Sequence, residues 1–142
     1  MKTSITRLLG IKYPIIEAPM AWITDAVLAA AVSEAGGLGT IGPNAGSGSV
    51  TSDVGETGER LREQIRQYRE LSDGPFAVNF VVGVVGWDRE YSDRCLEVGI
   101  EEKVPVAIVS QGSPTIYTQR MKDAGMKVIH VCSTIRHVQK AE

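Results

Sequence analysis

The chain has 142 residues, 43% of them hydrophobic, and a formal net charge of −2 from 15 basic and 17 acidic side chains. This length and hydrophobic content suit one folded domain and exclude a disordered chain. Because both charge signs are spread along the sequence, we expect no basic surface that could hold nucleic acid or anionic lipid. A small molecule is the expected partner.

The cysteines and the longest apolar run bear on the compartment. Cys95 and Cys132 fall in different predicted elements and lack the spacing of metal ligands, so we expect reduced thiols and no metal site. The chain begins without an apolar signal segment. The run from Phe80 to Val85 is far shorter than the roughly 20 residues of a membrane span. We therefore expect a soluble cytoplasmic protein.

Five short apolar runs, each bounded by Gly, Pro or Ser and followed by a helical pattern, have the composition of buried parallel strands. The alternation predicts an α/β fold with parallel strands joined by right-handed crossovers. The predicted strands are Ile15 to Ala18, Leu38 to Gly42, Phe76 to Val82, Val106 to Ser110 and Lys127 to Cys132. The predicted helices are Asp25 to Ala35, Gly58 to Leu71, Asp88 to Val98, Ser113 to Ala124 and Thr134 to Glu142.

Ligands in parallel α/β folds bind where strands end, so residues after the strands are candidates. The loop from Gly42 to Gly58 is either a mobile rim or a solvated linker. Met20 either fills a gap in the core or forms a soft apolar wall for a planar ligand. Helix capping explains Ser113 and Pro114 but leaves Gln111 unexplained, so Gln111 could line a pocket.

Four further polar residues, three in strands and one in the last helix, each have a structural and a functional interpretation. The amide of Asn79 lies in an apolar run and needs a partner, because an unpaired buried amide costs about 1 to 3 kcal/mol. That partner is either a neighbouring loop or a ligand. Lys127 opens its strand and either approaches the ligand or is solvated at the amino-terminal rim. His130 and His137 are better explained as a core group and a solvated group than as bases.

The segment Ala18-Pro19-Met20-Ala21-Trp22, with the glycines of Ala35-Gly36-Gly37-Leu38-Gly39 after it, closely resembles the nitronate monooxygenase family and the related flavin-dependent enoyl-ACP reductases. The resemblance continues through Asn79-Phe80 and Gly125-Met126-Lys127-Val128-Ile129, and so covers nearly the whole chain. It implies an FMN-dependent TIM (β/α)8 barrel. Because such a barrel needs about 250 residues, we expect residues 1–142 to form only its N-terminal part, about five βα units, with the C-terminal part absent.

The resemblance also implies site residues. FMN would be bound by Ala18, Pro19, Met20, Ala21, Asn79 and Lys127, and the substrate pocket would include Trp22 and Gln111. A cation such as Lys127 would stabilise the charge of the reduced cofactor. The family's proton-abstracting histidine follows a Gly-Gly pair in a later loop, and this Gly-Gly-His segment is not in the sequence. No residue is therefore assigned as catalytic base.

The activity implied by the resemblance is the oxidation of alkyl nitronates with oxygen to a carbonyl compound and nitrite. A flavin-dependent enoyl-ACP reductase matches the same motifs equally well. A third possibility is a partial barrel without catalytic activity. An open sheet cut from a barrel exposes two edges, so we expect the chain to form a homo-oligomer or to pair with the C-terminal part.

Overall fold

The computed structural model describes residues 2–49, 51–83 and 86–142, without the side chain of Trp87. Val50 in the predicted loop, and Val84 and Val85 at the end of the longest apolar run, lie outside the described residues. The described helices are α1 (Ser4–Leu9), α2 (Ala26–Glu34), α3 (Val54–Leu71), α4 (Gly86–Glu101), α5 (Thr118–Asp123) and α6 (Ile135–Ala141). The described strands are β1 (Gly39–Ile41), β2 (Phe76–Val81), β3 (Val106–Ser110) and β4 (Lys127–His130).

The four strands form one parallel sheet in the order β1-β2-β3-β4. Each strand therefore pairs with the next one along the chain, and all carboxyl ends lie at the same edge. This confirms the predicted parallel α/β architecture. Among the described helices, none combines the length and apolar character needed to cross a membrane.

Side chains alternate between two faces of the sheet, as the pleat requires. Val78 and Phe80 of β2 lie on what we call the outer face, in a buried cluster with residues of α2, α3 and α4. Ala77, which precedes Val78, lies on the inner face with Val106 and Ile108 of β3. The larger core thus lies between sheet and helices, and the inner face carries a smaller cluster.

Helix α1 was not predicted, and it completes the inner cluster. Thr3 caps it by accepting a hydrogen bond from the Thr6 backbone N–H, and Gly10 ends it at a φ of 75° that favours glycine. Its residue Leu9 is buried beside Ile11 against the inner face. The Thr-x-x-Thr capping pattern and the following glycine are the sequence signals that could have identified it.

The prediction of the first strand was wrong, because it contracts to a single bridge between Ile16 and Leu38. The backbone N–H of Leu38 donates to Ile15, and that of Glu17 donates back to Leu38. The next donor, the Thr40 N–H, is bound by the Glu17 carboxylate at 2.9 Å. A side chain thus takes the position of a main-chain acceptor, and the ladder ends there.

Three helix starts also differ from prediction, and α4 begins at Gly86 rather than Asp88. Helix α3 begins at Val54 rather than Gly58, because the Asp53 side chain caps it by accepting from the Glu56 N–H at 2.8 Å. Helix α5 begins at Thr118 rather than Ser113. The Ser113 hydroxyl instead lies 3.0 Å from the Thr115 hydroxyl, within turns that precede the helix.

The helices that flank the sheet edges start where the sequence indicates. Asp25, one of two predicted caps of α2, accepts from the Leu28 N–H at 3.0 Å. Thr134 caps α6 by accepting from the His137 N–H at 3.2 Å. Local side-chain to backbone bonds of this kind depend on nearby residues only, which is why they are predictable.

Large apolar side chains are exposed beyond both ends of the strand order. Ile15 and Ile23 are exposed near β1, and Val131 and Ile135 are exposed after β4. Contiguous apolar surface next to unpaired strand edges favours association. We therefore expect this chain to sediment as a dimer or larger species at low micromolar concentration.

The variant Ile135→Lys should shift this distribution towards monomer, because it sets a charge on the exposed surface of α6. Leu71→Lys is the matched control, since Leu71 is an exposed apolar residue at the carboxyl end of α3. Sedimentation velocity measures both. A stable monomer in the parent chain would contradict the expectation.

Candidate functional site

A tight turn follows the bridge at the position of the first predicted strand. The Met20 carbonyl accepts from the Ile23 N–H at 3.1 Å, and from the N–H and hydroxyl of Thr24 at 3.1 and 3.2 Å. The Thr24 hydroxyl oxygen in turn accepts from the Met20 N–H at 3.2 Å. Thr24 is fully buried, so this turn is closed from within by one side chain.

This turn is docked on the carboxyl end of β1 through Gly42. The Gly42 N–H donates to the Thr24 carbonyl at 2.8 Å. A Cβ at Gly42 would lie 2.3 Å from the Thr24 hydroxyl and 2.8 Å from the Met20 carbonyl. Only glycine allows this approach without displacing the turn. The sequence Gly42-Pro43 therefore fixes where the Met20 turn lies.

Besides Lys103, three described non-glycine residues have a left-handed backbone, and they lie in the loops after the bridge, β1 and β3. These are Trp22 with φ of 71°, Asn44 with φ of 57° and Gln111 with φ of 62°. Asparagine tolerates this conformation, but it is unfavourable for tryptophan and glutamine. The Trp22 N–H is held by the Pro43 carbonyl at 3.1 Å. Backbone strain of this kind clusters at functional sites.

Asn79 lies on the inner face and is 7% exposed. Its amide nitrogen donates to the Ile108 carbonyl at 3.0 Å and to the Ser110 hydroxyl at 3.1 Å. Ser110 can return a bond to the Asn79 carbonyl oxygen, at 3.4 Å. The structural partner therefore exists, and Oδ1 keeps capacity to accept from a ligand. The prediction assigned no role to Ser110, although it ends its strand beside Asn79.

The structure brings most of the predicted site residues to the carboxyl edge. Met20 and Trp22 are exposed by 41% and 42%, which gives the rim an apolar surface. Asn79 lies on β2, and Gln111 directly follows β3. The structure does not bring Lys127 there. The other predicted residues of this segment are next to Met20. Ala18 and Ala21 are exposed, and Pro19 is half-buried.

Lys127 opens β4 and pairs in register with Val106, the first residue of β3. It is exposed at the amino edge of the sheet. Because strands run parallel, this edge is opposite to the Met20 rim. A solvated lysine at the amino-terminal rim was the structural interpretation of Lys127, and it predicts this location.

His130, the histidine of β4, faces the helices rather than the Met20 rim. His130 pairs with the outer-face residue Val109, and its Nε2 lies 2.8 Å from the Thr118 hydroxyl. Burial, with a smaller contribution from the Lys122 charge, lowers the pKa of His130 below its ordinary value. Its half-buried ring thus contacts α5 through Thr118. The geometry adds no candidate for the catalytic base among these residues.

Besides Asp25, Glu17 is a titratable group next to the rim. Burial raises the pKa of its carboxyl, and repulsion from Asp25 adds to the rise, whereas the hydrogen bond from the Thr40 N–H opposes it. The sequence analysis gave Glu17 no role. Its signal is an acidic residue at the end of an otherwise apolar run.

A model of the nitronate monooxygenase family matches residues 2–142. The chain belongs to this family. A probable nitronate monooxygenase of Staphylococcus saprophyticus is 48% identical over 82 residues, which are 58% of this chain and 20% of the relative. The chain thus spans well under two thirds of the length of the relatives that it matches.

Solved structures agree on the fold. FabK from Thermotoga maritima superimposes with a TM-score of 0.79 at 41% identity, covering 99% of this chain and 42% of the FabK chain. Nitroalkane oxidase from Streptomyces ansochromogenes gives a TM-score of 0.76 at 22% identity, covering 98% and 45%, and supports the fold alone. Both are barrel enzymes, so the four-stranded sheet corresponds to part of a (β/α)8 barrel. This confirms the predicted fold class.

The close approach at Gly42 generates a prediction. Gly42→Ala should lower the free energy of unfolding by about 1 to 3 kcal/mol, because its Cβ must displace the Met20 turn. Gly48→Ala is the matched control in the same loop, where a Cβ meets nothing within 4 Å, and it should stay within about 0.5 kcal/mol. Urea unfolding followed by circular dichroism measures both. Equal effects would show that the turn is not held by this contact.

Proposed function

We propose that this chain forms part of an FMN-dependent oxidoreductase and that the flavin binds at the carboxyl edge of the sheet. The observation that carries the proposal is the Met20 turn, fixed on Gly42, which presents Met20 and Trp22 at that edge. Membership of the nitronate monooxygenase family supports the same conclusion. Bound FMN would supply the redox chemistry that protein side chains lack.

The rim has the properties that a flat aromatic ligand needs on one face. The Met20 thioether is soft, adaptable and partly exposed, so it can pack against a ring. The neighbouring Ala18 and Ala21 are small and exposed, and leave the backbone of the turn accessible. Backbone groups placed by small residues are typical of cofactor sites.

The inner face offers a polar contact to the same ligand. Both Asn79 amide hydrogens are used within the protein, so the amide can offer only its carbonyl oxygen. That acceptor suits a ring N–H or a ribityl hydroxyl of FMN. Ser110 holds the amide in this orientation. Lys127 lies at the opposite edge of the sheet, and the proposal does not require it.

For the substrate we propose an alkyl nitronate, oxidised with oxygen to a carbonyl compound and nitrite. The names of the relatives support this choice. Trp22 would pack against the alkyl group, and the Gln111 amide could donate to a nitronate oxygen. The strained backbone of both residues supports a functional role. The alternative is an enoyl-ACP reductase, which the similarity to FabK supports.

Flavin binding can be tested at Met20. Met20→Asp should weaken FMN binding at least tenfold in a fluorescence titration, because it sets a charge against an apolar ring. Leu71→Asp places the same charge on another exposed apolar position, at the far end of α3, and should bind FMN as the parent does. Unchanged affinity in the Met20 variant would remove this residue from the site.

Two assays separate the proposed activities. Oxygen uptake with propionate 3-nitronate supports the nitronate monooxygenase activity, whereas NADPH oxidation with a crotonyl thioester supports the reductase. A parent chain that binds no FMN and shows neither activity would favour the partial barrel without catalytic function.

A further inference from the structure

A small pocket lies behind the rim, between the loop after β1 and the helices α3 and α4. Its volume is about 20 Å³. This is enough for one water molecule and too little for an organic ligand. Polar residues that line it include Asn44 of the loop and Thr57, Arg60 and Gln64 of α3.

The hydroxyl of Thr57 is the unusual feature of this pocket. Thr57 is 5% exposed, and among the described residues its Oγ1 has no hydrogen-bond partner. A threonine inside a helix commonly donates to the carbonyl four residues before it. Here the Asp53 carbonyl accepts the Thr57 backbone N–H at 3.0 Å, without the hydroxyl. A buried hydroxyl without a partner in the wall of a pocket points to a bound partner.

We propose that one ordered water molecule binds in this pocket and satisfies the Thr57 hydroxyl. The Gln64 amide oxygen accepts from the Ala26 N–H at 2.8 Å, and its nitrogen donates to Gln67 at 3.4 Å, which leaves one amide hydrogen for the water. The Asn44 side chain supplies a further polar group. Two to four polar partners are what a buried water requires.

This water links α3 to the loop that follows β1. Asn44 belongs to that loop and has the left-handed backbone found at Trp22 and Gln111. The water thus holds a rim loop against the helix behind it. The inference goes beyond the proposed function, because it requires neither FMN nor a substrate.

The sign of a stability change tests the proposal. Thr57→Val keeps the shape and removes the hydroxyl, so it should lower Tm by about 3 °C if a water loses its partner. Thr40→Val is the matched control. The Thr40 hydroxyl is also buried without a partner among the described residues, but Thr40 does not line the pocket. Its replacement by valine should leave Tm unchanged or raise it.

The water itself can be detected by nuclear Overhauser contacts between a long-lived water and the Thr57 methyl group. We expect the signal in the parent and in Thr40→Val, and its loss in Thr57→Val. An equal or higher Tm in Thr57→Val, equal shifts in the two variants, or absence of the water signal in the parent would each overturn the proposal.

Discussion

The Met20 carbonyl accepts three hydrogen bonds, and the geometry of the rim depends on them. Two of these donors belong to Thr24, whose burial closes the turn. The turn can approach β1 only because Gly42 has no side chain. A left-handed tryptophan costs about 1 to 3 kcal/mol, and the bond from the Trp22 N–H to Pro43 helps to hold it. Strain at Trp22 is therefore a consequence of docking the turn on the sheet.

Glu17 explains why the chain can form this turn at all. A regular strand would continue past Ile16 and keep successive main-chain groups paired with the next strand. The Glu17 carboxylate instead accepts from the Thr40 N–H, so this main-chain donor of β1 stays paired while the main chain turns away. The raised pKa of this carboxyl shows that the arrangement has a desolvation cost. The Glu17 side chain thereby supplies the acceptor for β1 at the point where its own main chain leaves the sheet.

The sequence predicts the four strands of the sheet because a short apolar run bounded by Gly, Pro or Ser is a local signal. Val78 and Phe80 face the helices and Ala77 and Asn79 the inner face, as a period of two requires. It also predicts that residues after strands meet at one edge. The bond from Glu17 to Thr40 joins residues 23 positions apart, and no local pattern indicates it. The same holds for the partners of Asn79, which only the register of β2 and β3 identifies.

Polar residues on the inner face reveal a division of roles between the two faces. A sheet built for stability alone would place aliphatic side chains at Asn79 and Ser110, because a buried amide must be paired. These two side chains pair with each other and with the Ile108 carbonyl, so they cost little. One acceptor, Asn79 Oδ1, keeps bonding capacity beside the Met20 rim. The outer face can therefore hold the fold together while the inner face keeps a polar group ready for a ligand.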